Sequence, residues 1–216
     1  MLNKAFEYPM NFDETSDYII GGLLWFVSML FVIPYVVAYG YLIKVLRTTI
    51  DGSEKPPSFS DISVSEMIMD GLKFCGIYVI YVLPPTIIYG VLLNYEVLPE
   101  SILITLLWFV MVIVNYIVMA SILVYANNTF KDAFKPSLLK PILLSKEYLK
   151  ATLILFAIGL IIGIVTFIVI FILLFIPIVG WLMLIFIGLI SPVLIFCYSL
   201  FRFRLYGLAY EEILNK

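Results

Sequence analysis

The chain has 216 residues, of which 63% are apolar and only 13% charged, with 13 basic side chains against 15 acidic ones. A soluble domain ordinarily carries about 25% charged residues, so this composition excludes that class and points to an integral membrane protein. No histidine is present, which excludes imidazole triads and removes the commonest metal ligand.

Hydrocarbon about 30 Å thick needs roughly 20 apolar residues in a helix. Residues 18–43, 74–95, 101–130 and 151–201 carry no charge, and the last stretch is long enough for two crossings. These runs are continuous rather than alternating, so they predict helices and not a barrel. The expected fold is an all-α integral membrane protein with one transmembrane domain over 1–216. Its five spans would lie near 18–46, 69–94, 100–126, 149–175 and 178–203, with cytoplasmic connections at 47–68 and 127–148.

In the first span, Gly21, Gly22, Pro34 and Gly40 interrupt the helix pattern. One kinked crossing is the expected reading. The alternative is a hairpin that enters and leaves on one side, since each half is too short to cross lipid. The segment before it is acidic rather than basic and the apolar stretch is long, so a cleaved signal is not expected despite the small residues Ala38 and Gly40.

Next comes "EKPPSFSDISVSEMIMDGLKF", residues 54–74. Pro56 and Pro57 stop a helix and favour extended backbone. Beyond them Val64, Met67, Ile68, Gly71, Leu72 and Cys75 recur at helical spacing, while Ser63, Glu66, Asp70 and Lys73 share the other face. This predicts an amphipathic, in-plane cytoplasmic helix between spans one and two that runs into span two, started by Ser63 with Glu66 three residues on, or by Ser60 or Asp61. Its apolar stripe would dock on the membrane or the bundle and its polar face would be solvated.

Pro84 and Pro85 in span two and Pro192 in span five predict kinks. Asn115 is the most polar side chain near the middle of a span, expected to bond across to another helix rather than to line a transport path. Gly159 and Gly163 form a weak GxxxG pattern, and Pro177 with Gly180 predicts the turn between the last two spans. Cys75 and Cys197 lack a CxxC partner and read as small apolar packing residues.

Orientation follows from the basic residues, which gather on the cytoplasmic side. Lys44, Arg47, Lys55 and Lys73 lie between spans one and two. Lys131, Lys135, Lys140, Lys146 and Lys150 lie between three and four, and Arg202, Arg204 and Lys216 follow span five. Only Lys4 stands apart. Five crossings with the N-terminus outside and the C-terminus in the cytoplasm fit this alternation, and Trp25, Trp108 and Trp181 would then sit in the outer half.

No phosphate loop, zinc spacing, nucleophile elbow or nucleic-acid module is present, so no catalytic, cofactor-binding or metal-ligating residues and no cofactor are expected. Glu211 and Glu212 are adjacent and point apart on a helix.

Several spaced segments, "GYLIKVLRTTIDG", "PPSFSD", "MDGLKF", "FKDAF", "SKEYLKA", "IPIVGW" and "RLYGLAYEE", together resemble archaeal and bacterial polytopic membrane proteins catalogued as domain of unknown function 4013. The resemblance covers about residues 18–212 and implies an integral membrane protein without catalytic residues to carry over. The expected function is a non-enzymatic membrane module or assembly component in the cell membrane. Its partners would be membrane lipids and either another protein or a second copy, and no nucleic acid. A permease for a small apolar or amphipathic solute is the alternative. A lipid-modifying enzyme, drawing on Asp61, Glu66, Asp70 and Asp132, comes third.

Overall fold

A computed structural model describes residues 1–12, 15–28, 30–176 and 178–215, and every regular element among them is a helix. In chain order these are α1 (Leu2–Glu7), α2 (Thr15–Ser28), α3 (Val32–Ile50), α4 (Val64–Asn94), α5 (Glu100–Asn127), α6 (Pro136–Leu143), α7 (Lys146–Leu174) and α8 (Val179–Leu214), with three short 3-10 turns between them. Four of them, α4, α5, α7 and α8, are long and apolar enough to cross a membrane.

The expected single span over 18–46 is corrected: it is two helices, α2 and α3, packed on each other as a hairpin. Pro34 stands in the first turn of α3, where a missing N–H is tolerated. Carried further back, the helix would bring its ring against the carbonyl of Leu30, four residues earlier, so the chain breaks just before it. The backbone N–H groups of Leu30 and Phe31 both close onto the Val27 carbonyl and end α2. Asp17 at the start of α2 accepts from the Phe59 amide at 3.2 Å, and Tyr41 in the middle of α3 donates to the Pro57 carbonyl at 2.8 Å. On one straight helix those residues would stand about 36 Å apart at 1.5 Å per residue. Here both reach the same three-residue stretch.

The N-terminus follows. Lys4 lies 3.9 Å from Glu54, the Phe6 ring is 4.8 Å from Phe201, and the Arg204 guanidinium stacks 4.6 Å above the Tyr8 ring. Residues 1–10 therefore sit at the end of the molecule that carries the connection 51–63. The expectation that the N-terminus lies opposite the basic connections is thereby corrected, because a hairpin returns the chain to the side it came from. Lys4 ceases to be the exception among the basic residues.

The helix expected to start at Ser63 runs on into the second span, without a segment laid in the membrane plane. Residues 64–94 form one continuous helix, with the Ser63 hydroxyl accepting from the Glu66 amide at 3.2 Å as its N-cap. Its buried side runs through Met67, Asp70, Gly71, Phe74 and Ile77, while Val64 and Leu72 are exposed. Asp70, assigned by periodicity to the solvated face, is turned inward by a partner on α3.

That packing is close because two glycines permit it. A Cβ on Gly40 would collide with the Met67 carbonyl, and one on Gly71 with the Val36 carbonyl, so α3 and α4 touch backbone to backbone. The Tyr39 and Phe74 rings stack alongside at 4.1 Å.

The helices stay unbroken through Pro84, Pro85 and Pro192. Between α7 and α8 the chain reverses over a few residues: Ile178 takes φ 62°, and a Cβ on Gly180 would strike the Leu173 carbonyl. Pro177, expected in this turn, lies outside the described residues.

Buried apolar residues concentrate in the halves of the helices nearest the basic connections, at 36–46, 118–126 and 196–210. Away from that end the apolar faces are bare. Leu153, Phe156, Ile161 and Phe167 on α7 are all more than half exposed.

Candidate functional site

Two polar arrangements stand toward the helix ends nearest the basic connections. The first is a clasp. Arg47 of α3 makes a bidentate pair with Asp70 of α4, one of its bonds being 3.0 Å, and Tyr125 of α5 donates to the same carboxylate. The Arg47 Nε donates to the Ala126 carbonyl at 3.3 Å, and its guanidinium lies 5.4 Å from the Tyr125 ring centre. Asp70 and Tyr125 are buried. Such a planar fork suits a guanidinium and fixes three helices at one point. With both carboxylate oxygens bonded to donors of the clasp, three bonds in all, it has the chemistry of a structural joint.

The other carboxylates weighed for acid-base work are dispersed. Glu66 pairs with Lys44 at 3.1 Å, Asp132 with Lys135 at 2.6 Å and with the Thr129 hydroxyl, and Asp61 is exposed beside Ser60. They do not converge on a common space. Among the described residues no group of three His, Cys, Asp or Glu side chains is placed to hold a metal. Cys75 and Cys197 are free thiols on α4 and α8, each half-buried.

Asn115 is not the interhelical link expected of it. Its amide donates to the Met111 carbonyl one turn back in α5 at 2.8 Å, and the side chain is otherwise exposed to the second arrangement, a cavity. The cavity arises because α7 packs along α8 and α5 along α4, leaving a gap of about 520 Å³ between the two pairs. Each wall is one helix face at three- or four-residue spacing. From α5 come Trp108, Val112 and Asn115; from α7, Leu149, Thr152 and Phe156; from α8, Tyr198, Arg202 and Tyr206.

Tyr116 and Tyr206 line the cavity, with the buried Tyr148 ring packed against both. Tyr148 donates to the Tyr116 carbonyl at 2.6 Å, Tyr116 donates to the Leu143 carbonyl at 2.8 Å, and the Tyr206 and Thr152 hydroxyls lie 3.4 Å apart. A second, smaller cavity of about 130 Å³ among Tyr35, Tyr39 and Tyr78 shares Asn115 and Arg202 with the first. Arg202 thus lies between the two.

Sequence reasoning took Arg202 only as a marker of orientation. The signal was present in "YSLFRFRLY", where Tyr198, Arg202 and Tyr206 recur every fourth residue on one helix face.

A family model, described as a protein of unknown function (DUF4013), matches residues 23–171, which include the clasp and the α5 and α7 walls of the cavity. The chain belongs to this family. Neither a curated protein nor a solved structure matches it. The α8 wall, with Arg202, lies beyond the matched residues.

Proposed function

We propose that this DUF4013 protein is a non-enzymatic multi-pass module of the cell membrane that works as a component of a larger membrane assembly. The observation that carries the reading is the state of the four apolar helices. Between 6 and 28% of their most apolar windows is buried within the chain, and α7 has a mean hydropathy of 3.2 over such a window. Surface of that kind is stable only against hydrocarbon or another apolar chain.

Four crossings by α4, α5, α7 and α8, with the α2–α3 hairpin and both termini on the cytoplasmic side, agree with the basic residues. The outer turns at 95–99 and 175–178 contain no lysine or arginine. The clasp is a joint and the remaining carboxylates are apart, which supports a module over an enzyme. For the assembly, the test is native mass spectrometry of protein released from lipid nanodiscs. A dimer or a stable heteromer is expected, and a monomer at every protein concentration would overturn it.

A permease for an amphipathic solute is the second reading, favoured by the cavity that Asn115 and Arg202 line. It requires that Asn115→Leu, folded and inserted normally, lose solute uptake that the parent supports. Unchanged uptake in that variant would discard it.

A further inference from the structure

We propose that the cavity between α5, α7 and α8 binds an anionic membrane amphiphile, with Arg202 as counter-ion to its headgroup and the acyl chain laid along Trp108, Val112 and Phe156. The inference rests on the membrane reading above and adds a ligand class to it.

Arg202 is the first ground. Arg47 holds Asp70 and Arg204 donates to the Ser53 carbonyl, whereas Arg202 makes no hydrogen bond or ion pair among the described residues. It is half-buried, and among the described residues no carboxylate lines the cavity. A guanidinium held partly away from water favours an anion, and its fork matches phosphate or carboxylate oxygens. Asn115 borders the same space and supplies a further polar group to a headgroup.

The second ground is the gradient along the cavity. At the end nearest the basic connections stand Arg202, Tyr206 and Thr152. One or two turns farther from that end the walls become Val112 and Trp108 on α5 and Phe156 on α7, the last two with more than three-fifths of their surface exposed. Charge at the membrane edge and apolar wall toward its middle is the polarity of a lipid lying in the cytoplasmic leaflet. A free phosphate would match only the Arg202 end and leave the apolar walls uncovered.

Trp108 lies in the acyl part and reports on it. In protein carrying Trp25→Phe and Trp181→Phe, its fluorescence is titrated with phosphatidylglycerol or phosphatidylcholine bearing brominated acyl chains, in mixed micelles. Phosphatidylglycerol should quench at about five-fold lower mole fraction, the selectivity one basic residue near a membrane surface supplies. Arg202→Gln should equalise the two lipids, and Arg202→Lys should keep the preference. Equal quenching of the parent by both lipids would overturn the proposal while leaving the membrane reading intact, and it decides the matter even where Arg202→Gln does not fold. A preference unchanged in Arg202→Gln would also overturn it. So would loss of the preference on adding millimolar glycerol phosphate, which would assign the site to a soluble anion. Quenching by neither lipid would overturn the membrane reading itself.

Discussion

At Asp70 three donors converge on one buried carboxylate, and the cost of disturbing it depends on what is left behind. Asp70→Asn keeps the shape but strands the Arg47 charge, and breaking such a pair from one side costs about 3–5 kcal/mol. Removing both charges, in Arg47→Met with Asp70→Leu, should recover much of that loss, because no unpaired ion remains. Unfolding of the three proteins, parent included, in a mixed-micelle denaturant titration checks this, and equal losses in the single and double variants would contradict it. A second residue-scale expectation concerns pH. The Lys135 ammonium, with the Thr129 hydroxyl and amide, holds the Asp132 carboxyl at about 2, below its ordinary 3.8. The folded value is the lower one, so the contact is fully formed above pH 4 and is lost as pH falls through about 2. The Thr129 amide, which donates to Asp132 at 3.1 Å, should report a midpoint near 2 by NMR. A midpoint near 4 would show that the contact does not form in solution.

At the level of elements, the charge-free runs 74–95, 101–130 and 151–201 fall on α4, α5, α7 and α8, because length and apolarity are local properties, while the run 18–43 falls on α2 and α3. What could not be read locally was every feature decided by a partner. Asp70 and Lys73 share a polar face by periodicity, yet Asp70 is buried because Arg47, 23 residues earlier, meets it, and the Lys73 ammonium lies 5.8 Å from the Tyr125 ring centre. Tyr198, Arg202 and Tyr206 were legible as a stripe, but the gap they face exists only once α7 has packed on α8 and α5 on α4. Gly40 read as a helix interruption and Gly71 as part of an apolar stripe, and their use is the α3–α4 contact. Alanine at either should therefore cost about 1–3 kcal/mol, since a methyl meets a backbone carbonyl that has no rotamer to move to. Gly90→Ala and Gly163→Ala, where nothing lies within 4 Å of the added methyl, should instead be neutral or stabilise by about 0.5–1 kcal/mol through lower helix entropy. Thermal unfolding in detergent separates the two pairs. Equal effects at all four glycines would mean that α3 and α4 do not touch at these points.

For the whole molecule, the number of crossings turns on the hairpin. At 14 and 19 residues, α2 and α3 are about 21 and 28 Å long, and α3 carries Lys44 and Arg47 in its last two turns. The apolar part of either helix thus falls short of a bilayer core of about 30 Å. Their junction is nevertheless strongly apolar: Leu30, Phe31, Val32 and Ile33 are each more than 60% exposed. Four such side chains standing in water would forfeit burial at about 25 cal/mol per Å² of apolar surface. Inserting the tip partway into hydrocarbon and returning to the same side avoids that loss without sending Lys44 or Arg47 across. In protein with Cys75 and Cys197 replaced by alanine, a single cysteine at Phe31 should then resist an impermeant maleimide applied from either side. A cysteine at Asn3 should react from the cytoplasmic side, like one at Asn215, and a cysteine at Asn94 from the outside. Reaction of the Asn3 position from the outside would restore a single crossing over 18–46 and five spans. Rapid labelling at Phe31 from the cytoplasm would leave four spans but lift the hairpin out of the membrane.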